Sequence, residues 1–212
     1  MVFPVPGAAG KAIVAKQLAQ RDAMWPGAAP WLWHRSANKG FATIPKTMPL
    51  ILRIMDDLSN GKPLSSTYLA LWCDTWDNSM VNLSKPQEMA HAAGFTGQRA
   101  VYTWRTRMLL LKKLFFIDIK PGKSGDISHV LIWNPHQIIR VHQQQKTPGL
   151  VEGTYNALLE RALDIGAKDM LEPLPVVAPP PEPPTAAGPS ETGEAPLSTV
   201  EVAPMATTVG AT

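Results

Sequence analysis

The segment EMAHAAGFTGQRAVYTWRTRM, residues 88–108, contains two helical patterns separated by a sharp break. Its first part carries the apolar pair Met89 and Ala90 on a short helix. Gly94-Phe95-Thr96-Gly97 then interrupts the pattern, because glycine lets the chain reverse where other residues would be strained. A longer helix follows over residues 98–114. The segment therefore predicts two packed helices joined by a tight turn.

The longer helix has an apolar face and a polar face when its residues are placed at about 100° intervals. The residues predicted to be buried are Ala100, Val101, Trp104, Met108, Leu111 and Phe115. The opposite face carries Arg99, Tyr102, Thr103, Thr106 and Lys113, with Arg105, Arg107 and Lys112 on its flanks. Arginine can hold guanine O6 and N7 with two hydrogen bonds, and threonine can contact a thymine methyl. Flanking cations suit phosphates. We therefore expect this face to contact DNA.

A solvated or partner-binding face is the alternative, since any helix in a basic protein carries cations on its outer side. Leu109 and Leu110 also fall partly outward. They indicate that the second half of the helix packs on another element or on a second subunit. The predicted base-reading set is therefore restricted to residues 98–106, where Gln98 can address a base or a phosphate.

The residues before this segment predict another helix and a short strand. Ser65 or Ser66 can cap a helix that runs to Asp77. The stripe expected to face the core, including a buried thiol, consists of Tyr68, Leu69, Trp72, Cys73 and Trp76. Residues 80–83 form a short extended run. Ser84 then begins an S-x-x-Q capping box that opens the helix at residues 86–93.

The residues after the segment predict a hairpin. Two apolar runs, residues 115–119 and 127–133, flank a turn rich in proline and glycine at residues 121–125. Lys120 and Lys123 lie at this turn, where lysines beside exposed amides suit a phosphate. The alternative is a generic hairpin turn, since lysine, glycine and serine are common in turns.

The succession of helix, short strand, helix, sharp turn, helix and hairpin over residues 65–133 resembles the winged helix-turn-helix family of DNA-binding domains. The resemblance covers about a third of the chain and rests on order and spacing. It implies that the helix at residues 98–114 enters the major groove and that the hairpin, or wing, touches the flanking DNA backbone. More loosely, the basic region resembles small DNA-binding proteins of bacterial plasmids and integrating elements.

The whole chain is expected to be α+β and mostly helical, with a winged helix-turn-helix core and a disordered C-terminal tail. The predicted parts are a basic Trp- and Pro-rich arm at 1–46, a winged-helix domain at 47–146, an accessory helix within 147–171 and an acidic disordered tail at 172–212. Further helices are expected at residues 10–24, 47–60 (with Thr47 as N-cap and Asn60-Gly61 as stop), 135–145 and 150–168. Within the arm, Arg35, Lys39 and Lys46 are candidates for DNA backbone contacts.

Charge is distributed unevenly along the chain. Residues 1–150 carry 18 Lys and Arg against 8 Asp and Glu, a net charge of +10. Residues 151–212 carry 2 against 9, a net charge of −7. A basic body favours an anionic partner, and an acidic tail could compete with DNA for it. The alternative is that both charges serve solubility.

Other classes of site are not indicated by the sequence. It has no phosphate-loop motif and no recognised nucleophile, base and orienting group, so we expect neither an enzyme nor a cofactor. The five histidines and Cys73 have no metal-ligand spacing, so no metal site is expected. A single cysteine allows no internal disulfide and favours a reducing compartment. We expect no secretory signal and no membrane span, and therefore a cytoplasmic, nucleoid- or plasmid-associated protein.

The leading hypothesis is sequence-specific binding of double-stranded DNA by a transcriptional regulator, of a plasmid or mobile element. Two alternatives stay open. One is a plasmid replication initiation or partition protein, and the other is a winged-helix adaptor that binds proteins and not DNA. A homodimer is expected, because operator recognition commonly uses two half-sites. The tail and the Trp-rich arm are candidate contacts for a protein partner.

Overall fold

The computed structural model describes residues 8–33, 38–75 and 78–175. The α-helices in these ranges are α1 (Ala8–Met24), α2 (Met48–Leu58), α3 (Ser65–Asp74), α4 (Pro86–Ala92), α5 (Ala100–Lys113), α6 (Pro135–Gln144) and α7 (Glu152–Asp164). The strands are β1 (Met80–Asn82), β2 (Ile117–Gly122) and β3 (Gly125–Ile132), and short 3₁₀ helices occupy Ala29–Trp31 and Lys168–Met170. The predicted α+β, mostly helical class is confirmed.

The three strands form one antiparallel sheet in the order β1–β3–β2. Val130 of β3 lies opposite Val81 of β1 and Ile119 of β2, and all three side chains are buried. The next row, with His129 at its centre, is exposed. This alternation places one face of the sheet on the core and the other in solvent.

The predicted hairpin is confirmed, with β2 and β3 joined by a two-residue turn, Lys123-Ser124. The register shifts between Lys120 and Gly122, so Pro121 occupies a bulge. A bulge suits proline, which has no amide hydrogen to donate to the ladder. The hydroxyl of Ser128 donates to the Gly125 carbonyl at 2.7 Å and stabilises the turn from the inside.

A single hydrophobic core joins the sheet to the helices around it. Its largest fully buried side chains include Trp104, Tyr68 and Phe116. Helix α2 packs against α3, α6 and α7, while α5 packs against α3, α4 and β2. The segment 147–171 contributes to this same core, through Leu158 of α7 and others.

The N-terminal arm lies largely outside this core. Helix α1 covers the predicted residues 10–24 and begins slightly earlier, and none of the arm residues whose burial is described is buried. The arm is attached near its end, where the indole of Trp72 donates a hydrogen bond to the Thr43 carbonyl at 2.9 Å.

Two expectations about buried residues are wrong. Cys73 is exposed, because the buried face of α3 passes through Tyr68 and Leu71. Cys73 follows Leu71 by two positions, or about 200° around the helix. Phe115 is 67% exposed and adopts a φ of +61°, while Phe116 turns inward. The left-handed backbone at Phe115 follows the end of α5, so the chain turns and the buried position is taken by Phe116.

Several element ends also differ from the prediction. Lys85, and not Ser84, is the N-cap of α4, and it makes no side-chain capping bond, so the capping box is wrong. Helix α7 ends at Asp164, and Gly166 turns the chain with a φ of +70° before the short 3₁₀ helix. Helix α3 ends at Asp74. Trp76 and the predicted tail from residue 176 onward lie outside the described residues.

Candidate nucleic-acid interface

Helices α4 and α5 pack against each other across the predicted turn. Gly94 and Gly97 in this turn both have positive φ, at +85° and +80°. The backbone N–H of Phe95 donates to the Ala90 carbonyl at 2.9 Å, and its ring packs against the core. Gln98 and Arg99 form the exposed end of the turn, directly before α5 begins.

The buried face of α5 consists of Trp104, Met108 and Leu111, none of which is exposed to solvent. This matches the predicted face, except that Ala100 and Val101 are half-buried and Phe115 is exposed. The buried residues fix the rotation of α5, and therefore which side chains it offers to a partner.

The opposite face of α5 presents the predicted polar residues to different extents. Arg99, Tyr102 and Lys113 are exposed, and Tyr102 is 72% exposed. The half-buried residues are Thr103, Arg105, Thr106 and Arg107. The Thr106 hydroxyl donates to the Tyr102 carbonyl at 3.0 Å, so its proton is already used.

Arg107 has a buried donor without a partner. Its Nε makes no hydrogen bond, although the side chain is only half-buried. A buried donor of this kind costs free energy, and because the atom has almost no surface accessible to solvent, a partner could reach it only after the side chain moves.

The lysines of the hairpin differ in their partners. Lys120 is exposed, and its Nζ lies 3.5 Å from Asp118. Lys112 also contacts Asp118, at 3.2 Å, and donates to the Ile119 carbonyl at 3.1 Å. Burial alone would raise the pKa of Asp118, but the Ile119 amide and the two lysines lower it below its usual value. Lys123 is exposed at the tip of the turn, with no ion pair among the described residues.

Residues 98–123 carry seven Lys and Arg and one acid, Asp118, a net charge of +6. Because the cations lie on α5 and on the adjoining hairpin, this part of the surface is positive. In the arm, Lys39 and Lys46 are exposed, whereas Arg35 lies outside the described residues.

A second cluster lies at the other end of the sheet, and the sequence analysis missed it. The Thr47 hydroxyl lies 2.8 Å from Nε2 of His136, and Nδ1 of His136 lies 3.0 Å from the carboxylate of Asp169. Asn134 donates a second hydrogen bond to this carboxylate at 2.8 Å. Thr47, His136 and Asp169 have the order of a nucleophile, a base and an orienting group, which no sequence motif indicated.

The Thr47 side chain has no surface accessible to solvent. A substrate therefore has no access to its hydroxyl, and the cluster serves as a connection between elements. It joins the start of α2 to the start of α6 and to the 3₁₀ helix at Lys168–Met170. No local sequence pattern indicates it, because Thr47 and His136 are 89 positions apart.

Comparisons with known proteins do not place the chain in a family. No family model matches it, and no curated protein or solved structure does. Among the described residues, no three or more His, Cys, Asp or Glu side chains come together as metal ligands. The helices described here include none that is both long and apolar enough to span a membrane.

Proposed function

We propose that residues 47–146 form a winged-helix domain that binds double-stranded DNA, with α5 in the major groove. The order of elements from α3 to β3 and the strand order β1–β3–β2 support this arrangement. The family resemblance implies that the hairpin lies beside the groove-reading helix and reaches the neighbouring DNA backbone. The packing of α5 against β2 supports the first of these two points.

The observation that carries the proposal is the concentration of positive charge on α5 and the adjoining hairpin. Residues 98–123 carry seven cations and one acid, a net charge of +6, whereas the chain as a whole carries +3. Phosphate neutralisation with counterion release is the main source of affinity in such surfaces. The charge therefore favours a polyanion as the partner.

The residues proposed to contact DNA have two different roles. Gln98, Arg99, Tyr102, Thr103, Arg105 and Thr106 read base edges, because they lie on the first half of α5 or just before it. Arg107, Lys113, Lys120 and Lys123 contact phosphates. Arg105 is half-buried, and its guanidinium can make two parallel hydrogen bonds to guanine. The biological role proposed is transcriptional regulation of a plasmid or mobile element.

An adaptor role is the second candidate, and exposed apolar side chains favour it. Leu109 is 58% exposed on the second half of α5, and Phe115 follows it at the end of the helix. A protein partner or a second copy of the chain could cover these side chains. A homodimer on two half-sites would combine this surface with DNA binding.

The test is fluorescence anisotropy with mixed-sequence DNA duplexes across a salt series. If four to six phosphates are neutralised, log K should fall against log salt with a slope of roughly −4 to −5. The double variant Arg99→Ala/Arg105→Ala should bind much more weakly, with a shallower slope. The matched control is Arg53→Ala/Arg161→Ala, which also removes two positive charges, but from exposed positions on α2 and α7.

If both double variants lose the same amount of DNA affinity, the net charge of the protein, and not the position of the charges on α5, determines binding. Absence of binding to any duplex at low salt would contradict the DNA proposal. In that case the adaptor role predicts association with a protein partner that is insensitive to salt, and Leu109→Glu should abolish it.

A further inference from the structure

A cavity of about 610 Å³ lies at the end of the sheet where β3 leaves it. Its walls come from the last part of the arm, the ends of α3 and β3, the start of α6 and the 3₁₀ helix near Asp169. Three aromatic residues line it: Phe41, Trp72 and Trp133. Its size is typical of sites that hold small organic molecules, which range from about 300 to 1,000 Å³.

Hydrogen bonds hold one aromatic side chain of the wall and the backbone of another. The Trp72 indole is fixed by its hydrogen bond to the Thr43 carbonyl. The backbone N–H of Trp133 donates to the Phe116 carbonyl at 3.1 Å, which ties the end of β3 to the start of β2. These bonds fix the Trp72 indole and the backbone at Trp133, which limits the reordering that binding would cost in this part of the wall.

One fixed anion faces this cavity. The Asp169 carboxylate accepts hydrogen bonds from Asn134 and His136, and the Arg140 guanidinium holds the Asp169 carbonyl at 3.0 Å. Burial alone would raise the pKa of Asp169, but the bonds from Asn134 and His136 hold it below its usual value. A carboxylate has about four acceptor positions, and its side chain is 32% exposed, so it can accept another donor.

The other charged groups of the cavity do not oppose a cation strongly. Lys46 lines the rim and is exposed, and its long, flexible side chain can extend into solvent. His136 is engaged on both ring nitrogens, by Thr47 and Asp169. The fixed charge within the cavity is therefore negative, surrounded by aromatic carbon.

We propose that this cavity binds a flat aromatic cation that carries an N–H donor. The ring would pack against the Trp72 and Trp133 indoles and the Phe41 ring, and the N–H would donate to Asp169. Indole faces attract cations, and a carboxylate acceptor makes the hydrogen bond charge-assisted. The tryptophans provide the apolar surface on which the ligand ring packs. The Asp169 carboxylate favours a positively charged ligand over a negatively charged one.

The cavity lies away from the surface proposed to bind DNA. The cavity adjoins Ile132 and Trp133, whereas the hairpin turn lies at the other end of β3. An eight-residue strand separates the two by about 23 Å. Ligand binding can therefore be measured on the protein alone, and either proposal can fail without the other.

The experiment is isothermal titration calorimetry of the full chain, without DNA, using two acridine probes. 9-Aminoacridine is a flat cation with N–H donors, and acridine-9-carboxylate has the same ring system with a negative charge. We expect the cation to bind and the anion to bind at least about tenfold more weakly. Asp169→Asn should weaken binding of the cation by about tenfold or more, whereas Asp126→Asn, at an exposed position on β3, should not change it.

Asp169→Asn could also loosen the cluster around His136, so a second variant tests the aromatic wall. Trp133→Leu should weaken binding of 9-aminoacridine, while Trp31→Leu, at a highly exposed position in the arm, should leave it unchanged. Thermal melting confirms that each variant is folded. Absence of 9-aminoacridine binding, equal binding of both probes, or binding unaffected by Trp133→Leu would each overturn the proposal.

Discussion

At the scale of single residues, two glycines four positions apart should respond in opposite ways to the same substitution. A Cβ on Gly149 would lie 2.9 Å from the Asp57 carbonyl oxygen, and its φ is +94°. A Cβ on Gly153, in α7, would meet nothing within 4 Å. We expect Gly149→Ala to lower the free energy of unfolding by about 2 kcal/mol or more, through left-handed strain and the backbone clash.

Gly153→Ala should instead raise the free energy of unfolding by about 0.5–1 kcal/mol, because alanine restricts the unfolded chain and favours the helix. Urea denaturation of both variants, compared at constant m value, measures the two changes. Destabilisation of similar size in both would contradict the close approach of Gly149 to α2.

The residues whose environment was predicted wrongly show what a local pattern lacks. Phe115 and Phe116 are adjacent and chemically identical, so only the left-handed backbone at Phe115 decides which ring is buried. The Thr47–His136–Asp169 cluster depends on contacts between residues far apart in the chain. By contrast, Trp104 and its buried neighbours on α5 followed directly from helical spacing, because they share one face.

At the scale of elements, the hairpin should add affinity for DNA without adding sequence preference. Lys123 lies in the two-residue turn, exposed and without an ion pair among the described residues, so a phosphate would be its first partner. Lys123→Ala should therefore reduce the magnitude of the salt slope by about 1 and weaken all duplexes by a similar factor. Anisotropy with two unrelated duplexes measures both effects.

Lys168→Ala is the matched control for the hairpin variant, because it removes one exposed lysine from the 3₁₀ helix at the opposite end of the sheet. If Lys123→Ala leaves the salt slope of DNA binding unchanged, the hairpin is not part of the interface. If the variant loses affinity for only one of the two duplexes, Lys123 reads bases.

Elements were predicted more reliably than their ends. The hairpin and α5 followed from alternation, helical spacing and turn composition, which are local properties. The N-cap of α4 and the last residue of α7 depended on weaker signals. Ser84 has the right spacing for a capping box, but Lys85 takes the N-cap position and Pro86 begins the helix without a side-chain cap. Pattern alone does not decide between neighbouring cap positions.

At the scale of the whole molecule, the sheet connects two surfaces of different chemistry. One is the positive surface of α5 and the hairpin, and the other is the aromatic cavity beside Trp133. The backbone of Trp133 bonds to Phe116, at the junction of α5 and β2. A ligand in the cavity would therefore contact a residue bonded directly to the segment that positions α5.

The acidic C-terminal segment supports the last prediction, which concerns charge across the whole chain. Residues 176–212 carry four glutamates and no lysine or arginine, so removing them raises the formal net charge from +3 to +7. Cutting after residue 175 preserves the bonds from Arg140 to the carbonyls of Asp169 and Glu172. If the segment competes with DNA, this truncation should raise affinity at low ionic strength by about three- to tenfold. The gain should shrink as salt increases, because exposed charges are screened beyond about 10 Å at 0.1 M.

The full-length chain with Glu182, Glu191, Glu194 and Glu201 replaced by glutamine separates charge from bulk. Competition by charge predicts that this variant gains affinity as the truncation does, and with the same salt dependence. A gain in the truncation alone would instead indicate steric obstruction of the basic surface. Unchanged affinity in both would show that the negative charge of the segment does not act on DNA binding, and that α5 and the hairpin bind with the affinity their own cations provide.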